Sequence, residues 1–172
     1  MEGSLAIAYL GALIVLLGAV GALIIRQILK NRSLESVITK LQPKLQKEKG
    51  APEEHYELGS VYLRKKLYVK AISEFNKALK ASESGIPQVN NAIGFAYFSQ
   101  EQYDLAIKNY KEAIALDPEY VGAINNLGHA YERKKLIPQA IAAYEDALKL
   151  EPDNKTAKRR LDALVKRVSP GS

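Results

Sequence analysis

The chain of 172 residues has no cysteine and no tryptophan, and only one methionine, two histidines and three phenylalanines. Without cysteine there can be no disulfide, thiolate zinc site or cysteine nucleophile. The two histidines, His55 and His129, stand far apart and in no metal-ligand spacing such as HExxH. No phosphate-cradling glycine loop and no G-x-S-x-G elbow occurs. No catalytic residue, cofactor or metal is therefore expected. Charge is scarce at the N-terminal end, where Glu2 is alone in the first 25 residues.

That scarcity is itself a signal. Leu5 to Ile25 reads LAIAYLGALIVLLGAVGALII, 21 residues without a charge. As a helix this run would be about 31 Å long, the thickness of a bilayer's hydrocarbon core. A cleaved signal peptide is the competing reading, with Ala19-Val20-Gly21 imitating a cleavage site, but it wants a basic residue before the run. The expectation is an uncleaved anchor over residues 1–25. Arg26, Lys30, Arg32, Lys40, Lys44, Lys47 and Lys49 follow it, so the positive-inside rule places the N-terminus outside and the remainder on the cytoplasmic or stromal side. Ala8 and Ala12, and Gly18 and Ala22, are small residues four apart, with Gly11 one heptad before Gly18. Gly11 and Gly18 mark a candidate contact face for a second helix, the alternative being an anchor merely rich in small residues.

The net charge of +6 is unevenly spread: −1 over residues 1–25, +5 over 26–51, −3 over 52–154 and +5 over 155–172. The basic segment 26–51 reads as a juxtamembrane stalk attracted to anionic lipid headgroups, or as a docking site for an acidic partner. It lacks the aromatic interleaving of a nucleic-acid module. Leu34, Val37, Ile38, Leu41 and Leu45 give an amphipathic stripe, with an interruption expected near Pro43 and packing against the first repeat favoured.

Beyond the stalk the sequence repeats itself. PEEHYELGSVYLRKKLYVKAISEFNKALKAS begins at Pro52, PQVNNAIGFAYFSQEQYDLAIKNYKEAIALDP at Pro87, and VGAINNLGHAYERKKLIPQAIAAYEDALKLEP at Val121. Gly59, Gly94 and Gly128 recur at intervals of 35 and 34, as do Ala71, Ala106 and Ala140. Helical spacing relates Leu58, Ile93 and Leu127 to Tyr62, Tyr97 and Tyr131, and the alanines to Phe75, Tyr110 and Tyr144. Small residues and large rings in register predict helix pairs in close contact. Pro118 and Pro152 stop the second helices. Repeat 1 carries Ser82-Glu83-Ser84-Gly85 and one extra residue at that point, predicting a longer junction. Residues 155–168 make an amphipathic cap through Ala157, Leu161, Leu164, Val165 and Val168, and residues 169–172 a tail.

This periodicity resembles the tetratricopeptide-repeat (TPR) family. The resemblance implies an all-α solenoid of three TPR repeats (52–86, 87–120 and 121–154) with a C-terminal capping helix, preceded by one N-terminal transmembrane helix. The family's tryptophan at repeat position four is replaced by His55, Asn90 and Ile124, of which His55 is read as structural. In this family the first helices line a concave groove through positions two, five, nine and twelve. The partner-binding candidates are therefore Tyr56, Ser60 and Leu63 in repeat 1, Asn91, Phe95 and Phe98 in repeat 2, and Asn125 and His129 in repeat 3. Rings not required for packing are frequent binding anchors, and asparagines can bond both groups of a peptide backbone. His129 is equally readable as a solvated surface residue. The carboxylate clamp of chaperone-binding members is missing: Tyr56, Ser60, Ala92, Gly122 and Asn126 occupy its places without a positive charge.

The whole architecture, with the stretches NAIGFAYFSQEQYDLAIKNYKEA, NNLGHAYERK and YLRKKLYVKAISEFNKALKA, resembles the small TPR photosystem I assembly proteins of cyanobacteria and algal plastids. That resemblance implies a non-catalytic scaffold in the thylakoid membrane, its N-terminus lumenal. Its partners would be membrane lipid and a photosystem I subunit or assembly intermediate, with no nucleic acid. The alternatives are an anchored receptor for targeting peptides, a scaffold of another membrane complex, or an enzyme accessory.

Overall fold

The computed structural model describes residues 2–168, and eight helices account for nearly all of them: α1 (Glu2–Lys47), α2 (Pro52–Arg64), α3 (Tyr68–Ala81), α4 (Pro87–Ser99), α5 (Tyr103–Leu116), α6 (Val121–Arg133), α7 (Ile137–Leu150) and α8 (Lys155–Val168). The tail at 169–172 lies outside the described residues. The chain divides into two units, the first ending at Gln46 and the second beginning at Lys47.

The first unit is α1, whose 46 residues make a helix about 69 Å long. It is the one helix among the described residues long and apolar enough to cross a membrane, and no residue of its most apolar stretch is buried. The interruption expected near Pro43 is not found; the helix runs through it to Lys47. Pro43 removes a single N–H, and barely one further turn follows it, so little helix is at stake. The stripe through Leu34, Val37, Ile38, Leu41 and Leu45 is the least exposed side of α1.

The second unit is the all-α TPR solenoid, an array of helix pairs α2/α3, α4/α5 and α6/α7, closed by α8. Each pair is joined by three residues, the middle one left-handed: Lys66, Glu101 and Lys135 have φ near +60°. In each turn the last helical carbonyls are capped by two bonds, such as Leu67 N–H to Tyr62 C=O and Lys66 N–H to Leu63 C=O, both 2.9 Å. This is the Schellman arrangement, normally built on glycine. The same two bonds recur in the turns after α4 and α6. At the start of α2, Pro52 is in the first turn and the Glu54 carboxylate accepts the Ala51 N–H at 3.2 Å.

Inside each pair the repeat glycine faces the ring that the periodicity placed opposite it. A Cβ on Gly59 would stand 2.7 Å from Phe75, one on Gly94 2.6 Å from Tyr110, and one on Gly128 2.9 Å from Tyr144. The three rings are almost completely buried, and Ala71, Ala106, Ala140, Ala78, Ala113 and Ala147 are fully so. Position four of each repeat, His55, Asn90 and Ile124, is buried as well. His55 is structural as expected, its Nδ1 2.8 Å from the buried Glu74 carboxylate. The junction after α3 has five residues, Ser82 to Ile86, against four after α5 and four after α7.

The cap differs in detail from its expected stripe. Ala157 and Leu164 are buried and Leu161 is half-buried, but Val165 and Val168 stay exposed. Helix α8 packs chiefly on α7, and its outer side, with Val165 and Val168, is not covered by any described helix.

Candidate functional site

Among the described helices α2 touches α4 and α4 touches α6, so the first helices of the repeats make one continuous wall. The residues expected to bind a partner are distributed along it, and their surroundings divide them. Phe95 is the plainly open ring, 45% exposed. Tyr56 is exposed at its edge but leans on Phe75, with ring centroids 5.8 Å apart. Phe98 is half-buried between Tyr103 at 5.4 Å and His129 at 4.7 Å, so part of its surface is spent joining repeats 2 and 3. Ser60 and Leu63 are half-buried on α2.

The asparagines hold the wall together as well as furnishing it. Asn91 donates from Nδ2 to the Tyr120 hydroxyl at 3.1 Å, and its Oδ1 accepts from Asn126 Nδ2 at 2.9 Å. Burial raises the Tyr120 pKa, with the bond from Asn91 acting against it. A Cβ on Gly122 would come 3.0 Å from the Tyr120 ring, so the glycine leaves room for that ring to lie over α6. Asn125 is different: its Oδ1 is buried and has no hydrogen-bond partner among the described residues. A buried acceptor without a donor is costly.

His129 is only partly open to solvent. It is half-buried against Phe98, and its pKa is lowered, first by burial and then by Arg160 nearby. It is therefore neutral at neutral pH. At this end of the wall Glu132 accepts from Arg160 of α8 at 3.2 Å and from the Tyr144 hydroxyl at 3.3 Å. The cap thus supplies a cation to the site. At the opposite end Pro52, Glu53, Tyr56, Ile86, Gln88 and Val89 line a largely apolar notch of about 220 Å³, room for one large side chain.

Tyr120 and Arg160 were not legible as site residues. Tyr120 belongs to the turn before α6 and Arg160 to the cap, outside the positions that repeat periodicity marks. Gly11 and Gly18, in the first unit, are exposed and have no atom within 4 Å of a would-be Cβ. No group of histidines and acids that could hold a metal occurs among the described residues.

Comparison with known proteins agrees with this geometry. Three models described as TPR or tetratricopeptide repeat match residues 55–84, 88–135 and 122–154. The chain is 38% identical over 170 residues to the tetratricopeptide repeat domain-containing protein PYG7, chloroplastic, of Arabidopsis thaliana. That match uses 97% of the chain but spans only 56% of the Arabidopsis protein. With the ycf37 protein of Cyanophora paradoxa it shares 37% identity over 144 residues, covering 82% of the chain and 84% of the relative. Among solved structures, the first TPR of Spaghetti (RPAP3) bound to the HSP90 peptide SRMEEVD superimposes with a TM-score of 0.65 at 26% identity, over 68% of this chain and 92% of that one. MamA superimposes with a TM-score of 0.75 at 22% identity over 81% of each chain, a likeness of fold. With its three repeats in register and its ycf37 relative matched over most of both lengths, the chain belongs to the ycf37 family of tetratricopeptide-repeat proteins.

Proposed function

We propose that this protein is a membrane-tethered, non-catalytic scaffold whose TPR wall engages a protein of photosystem I, assisting its assembly or persistence in the thylakoid membrane. The observation that carries the reading is the wall itself. An open Phe95 and an apolar notch at Tyr56 lie on first helices that leave them unfilled. The occupant they suit is an extended or helical protein segment, with an apolar side chain for the notch.

The partner-binding residues are Tyr56, Ser60, Leu63, Asn91, Phe95, Phe98, Asn125 and His129, with Asn91 and Phe98 acting partly by shaping the wall. The apolar half of α1 supports an anchor, and the lysines and arginines after it support a stromal or cytoplasmic array and attraction to anionic lipid. Anchoring raises effective concentration, so weak contacts at the wall suffice. The chloroplastic Arabidopsis relative and the resemblance to photosystem I assembly proteins favour the thylakoid. An acidic peptide like the SRMEEVD bound to RPAP3 is disfavoured, because Tyr56, Ser60, Ala92, Gly122 and Asn126 put no cation where a carboxylate clamp needs one.

The test is co-purification of the full chain from gently solubilised thylakoids, with the parent and Phe95→Ala compared. Recovery of photosystem I subunits with the parent, and their loss with the variant, is the expected result. Recovery of precursor peptides or translocation components in their place overturns it.

A further inference from the structure

The second unit carries a basic cleft that the TPR wall does not use. Lys49 and Gly50 in the turn before α2, His55 on α2, and Lys77, Lys80 and Ala81 at the end of α3 enclose about 470 Å³. Half of the lining residues are lysines and none is acidic. Beside it the buried Glu74 carboxylate accepts from Lys77 Nζ at 2.7 Å and meets His55 Nδ1 at 2.8 Å. The Lys77 ammonium is thereby fixed rather than free to sweep solvent. Lys49 and Lys80 are exposed and have no hydrogen-bond or ion-pair partner among the described residues.

The repeats provide an internal control. At the places of His55, Glu74 and Lys77, repeat 2 has Asn90, Asn109 and Glu112, and repeat 3 has Ile124, Ala143 and Asp146. The other two repeats thus manage the same helix packing without a buried charge, and with an acid where Lys77 stands. Burying a carboxylate is expensive, and well-packed apolar residues stabilise as well or better. The buried charge of Glu74 and the Lys77 held on it are therefore not what the solenoid needs to fold.

We propose that this cleft is a binding site for an anionic head group, a phosphate or sulfonate carried on a small polyol, from either a lipid or a soluble ester. Lysine is a compact point charge suited to such oxyanions. Lys49 and Lys80 supply the net attraction, Lys77 is a pre-placed donor, and His55 Nε2 is the ring's remaining polar atom. The space equals that of roughly fifteen waters in the liquid, more than a bare phosphate fills, which leaves room for the polyol.

The full chain in neutral-detergent micelles is titrated separately with glycerol 3-phosphate, dihexanoyl phosphatidylglycerol and dihexanoyl phosphatidylcholine, following the Gly50 backbone amide by NMR. Saturable shifts with the first two, and none with the zwitterion, are expected. A response to phosphatidylglycerol alone assigns the lipid as source, and one to glycerol 3-phosphate alone the soluble ester. Lys49→Gln with Lys80→Gln should weaken binding roughly 10- to 30-fold at unchanged melting temperature. Lys158→Gln with Lys166→Gln, which removes equal charge from α8, should leave it within about twofold. Equal loss in both double variants, a response to phosphatidylcholine matching that to phosphatidylglycerol, or an unmoved Gly50 amide overturns the site.

Discussion

Glycine plays opposite parts in the two units. In the array Gly59, Gly94 and Gly128 each lie under a ring that a Cβ would strike at 2.6–2.9 Å. In α1 a Cβ on Gly11, Gly18 or Gly21 would meet no neighbouring side chain or other helix within 4 Å among the described residues. Glycine costs a helix roughly 1 kcal/mol relative to alanine. In the array that cost is offset by the buried contact between paired helices. In α1 no contact among the described residues offsets it; a surrounding apolar solvent or a second helix could. Phe95 is the array's counterpart of those open glycines: a large ring on the wall, left exposed by its own repeat.

The sharpest break of this contrast is Gly94→Leu. The added side chain meets the Tyr110 ring and the Ala106 carbonyl, both held in the core, and the array should lose about 3 kcal/mol or more. Thermal unfolding followed by circular dichroism checks it, and a variant as stable as the parent would remove the packing argument. Phe95→Ala tests the open ring. Partner capture should fall about tenfold, a loss of ~1.4 kcal/mol, while melting stays within ~0.5 kcal/mol of the parent.

Asn91→Ala lies between those two cases. It removes bonds that join α4 to Tyr120, in the turn before α6, and to Asn126 of α6, so the array itself should lose about 1 kcal/mol. Capture should weaken too, and chemical denaturation separates the effects. Gly11→Leu with Gly18→Leu should leave both insertion and array melting unchanged. Bilayer cross-linking then decides the remaining question, since undiminished association makes α1 a plain anchor.

The smallest effect concerns His129. Its folded pKa lies below the ordinary value of about 6.5, so the unfolded chain takes up the proton first as pH falls. Its contribution to stability is complete above that value and declines as pH drops towards the folded pKa. The stability difference between parent and His129→Gln should therefore shift against the parent from pH 7.5 to pH 5.5. A difference that stays constant would show that His129 has the same pKa in the folded and the unfolded chain.

The array's plan was legible because repeats state their own contacts. Three copies in phase identify Gly59, Gly94 and Gly128 as close-approach sites, with no need to know how the chain turns. Pro118 and Pro152 mark the stops, and the extra residue after Ser82 the longer junction. The continuity of α1 through Pro43 was not legible, because proline's local rule is silent about how little helix follows it. The exposure of Val165 and Val168 was hidden for a related reason. A stripe shows which side could be buried, and only the presence of a neighbour decides how much of it is.

The sequence alone determined the helix pairs, their order, the ring-to-glycine register and an apolar segment of bilayer length, since each depends on spacing along the chain. Tertiary structure decided what spacing cannot encode. It brought Tyr120 from a turn onto Asn91, Arg160 from the cap onto Glu132, and Lys49 beside Lys77 and Lys80. It also left Asn125 Oδ1 without a donor among the described residues, while the Nδ2 of its neighbour Asn126 found an acceptor in Asn91. Hydrogen bonds and charge clusters form between side chains that arrive from different helices, and their partners are fixed by how those helices dock.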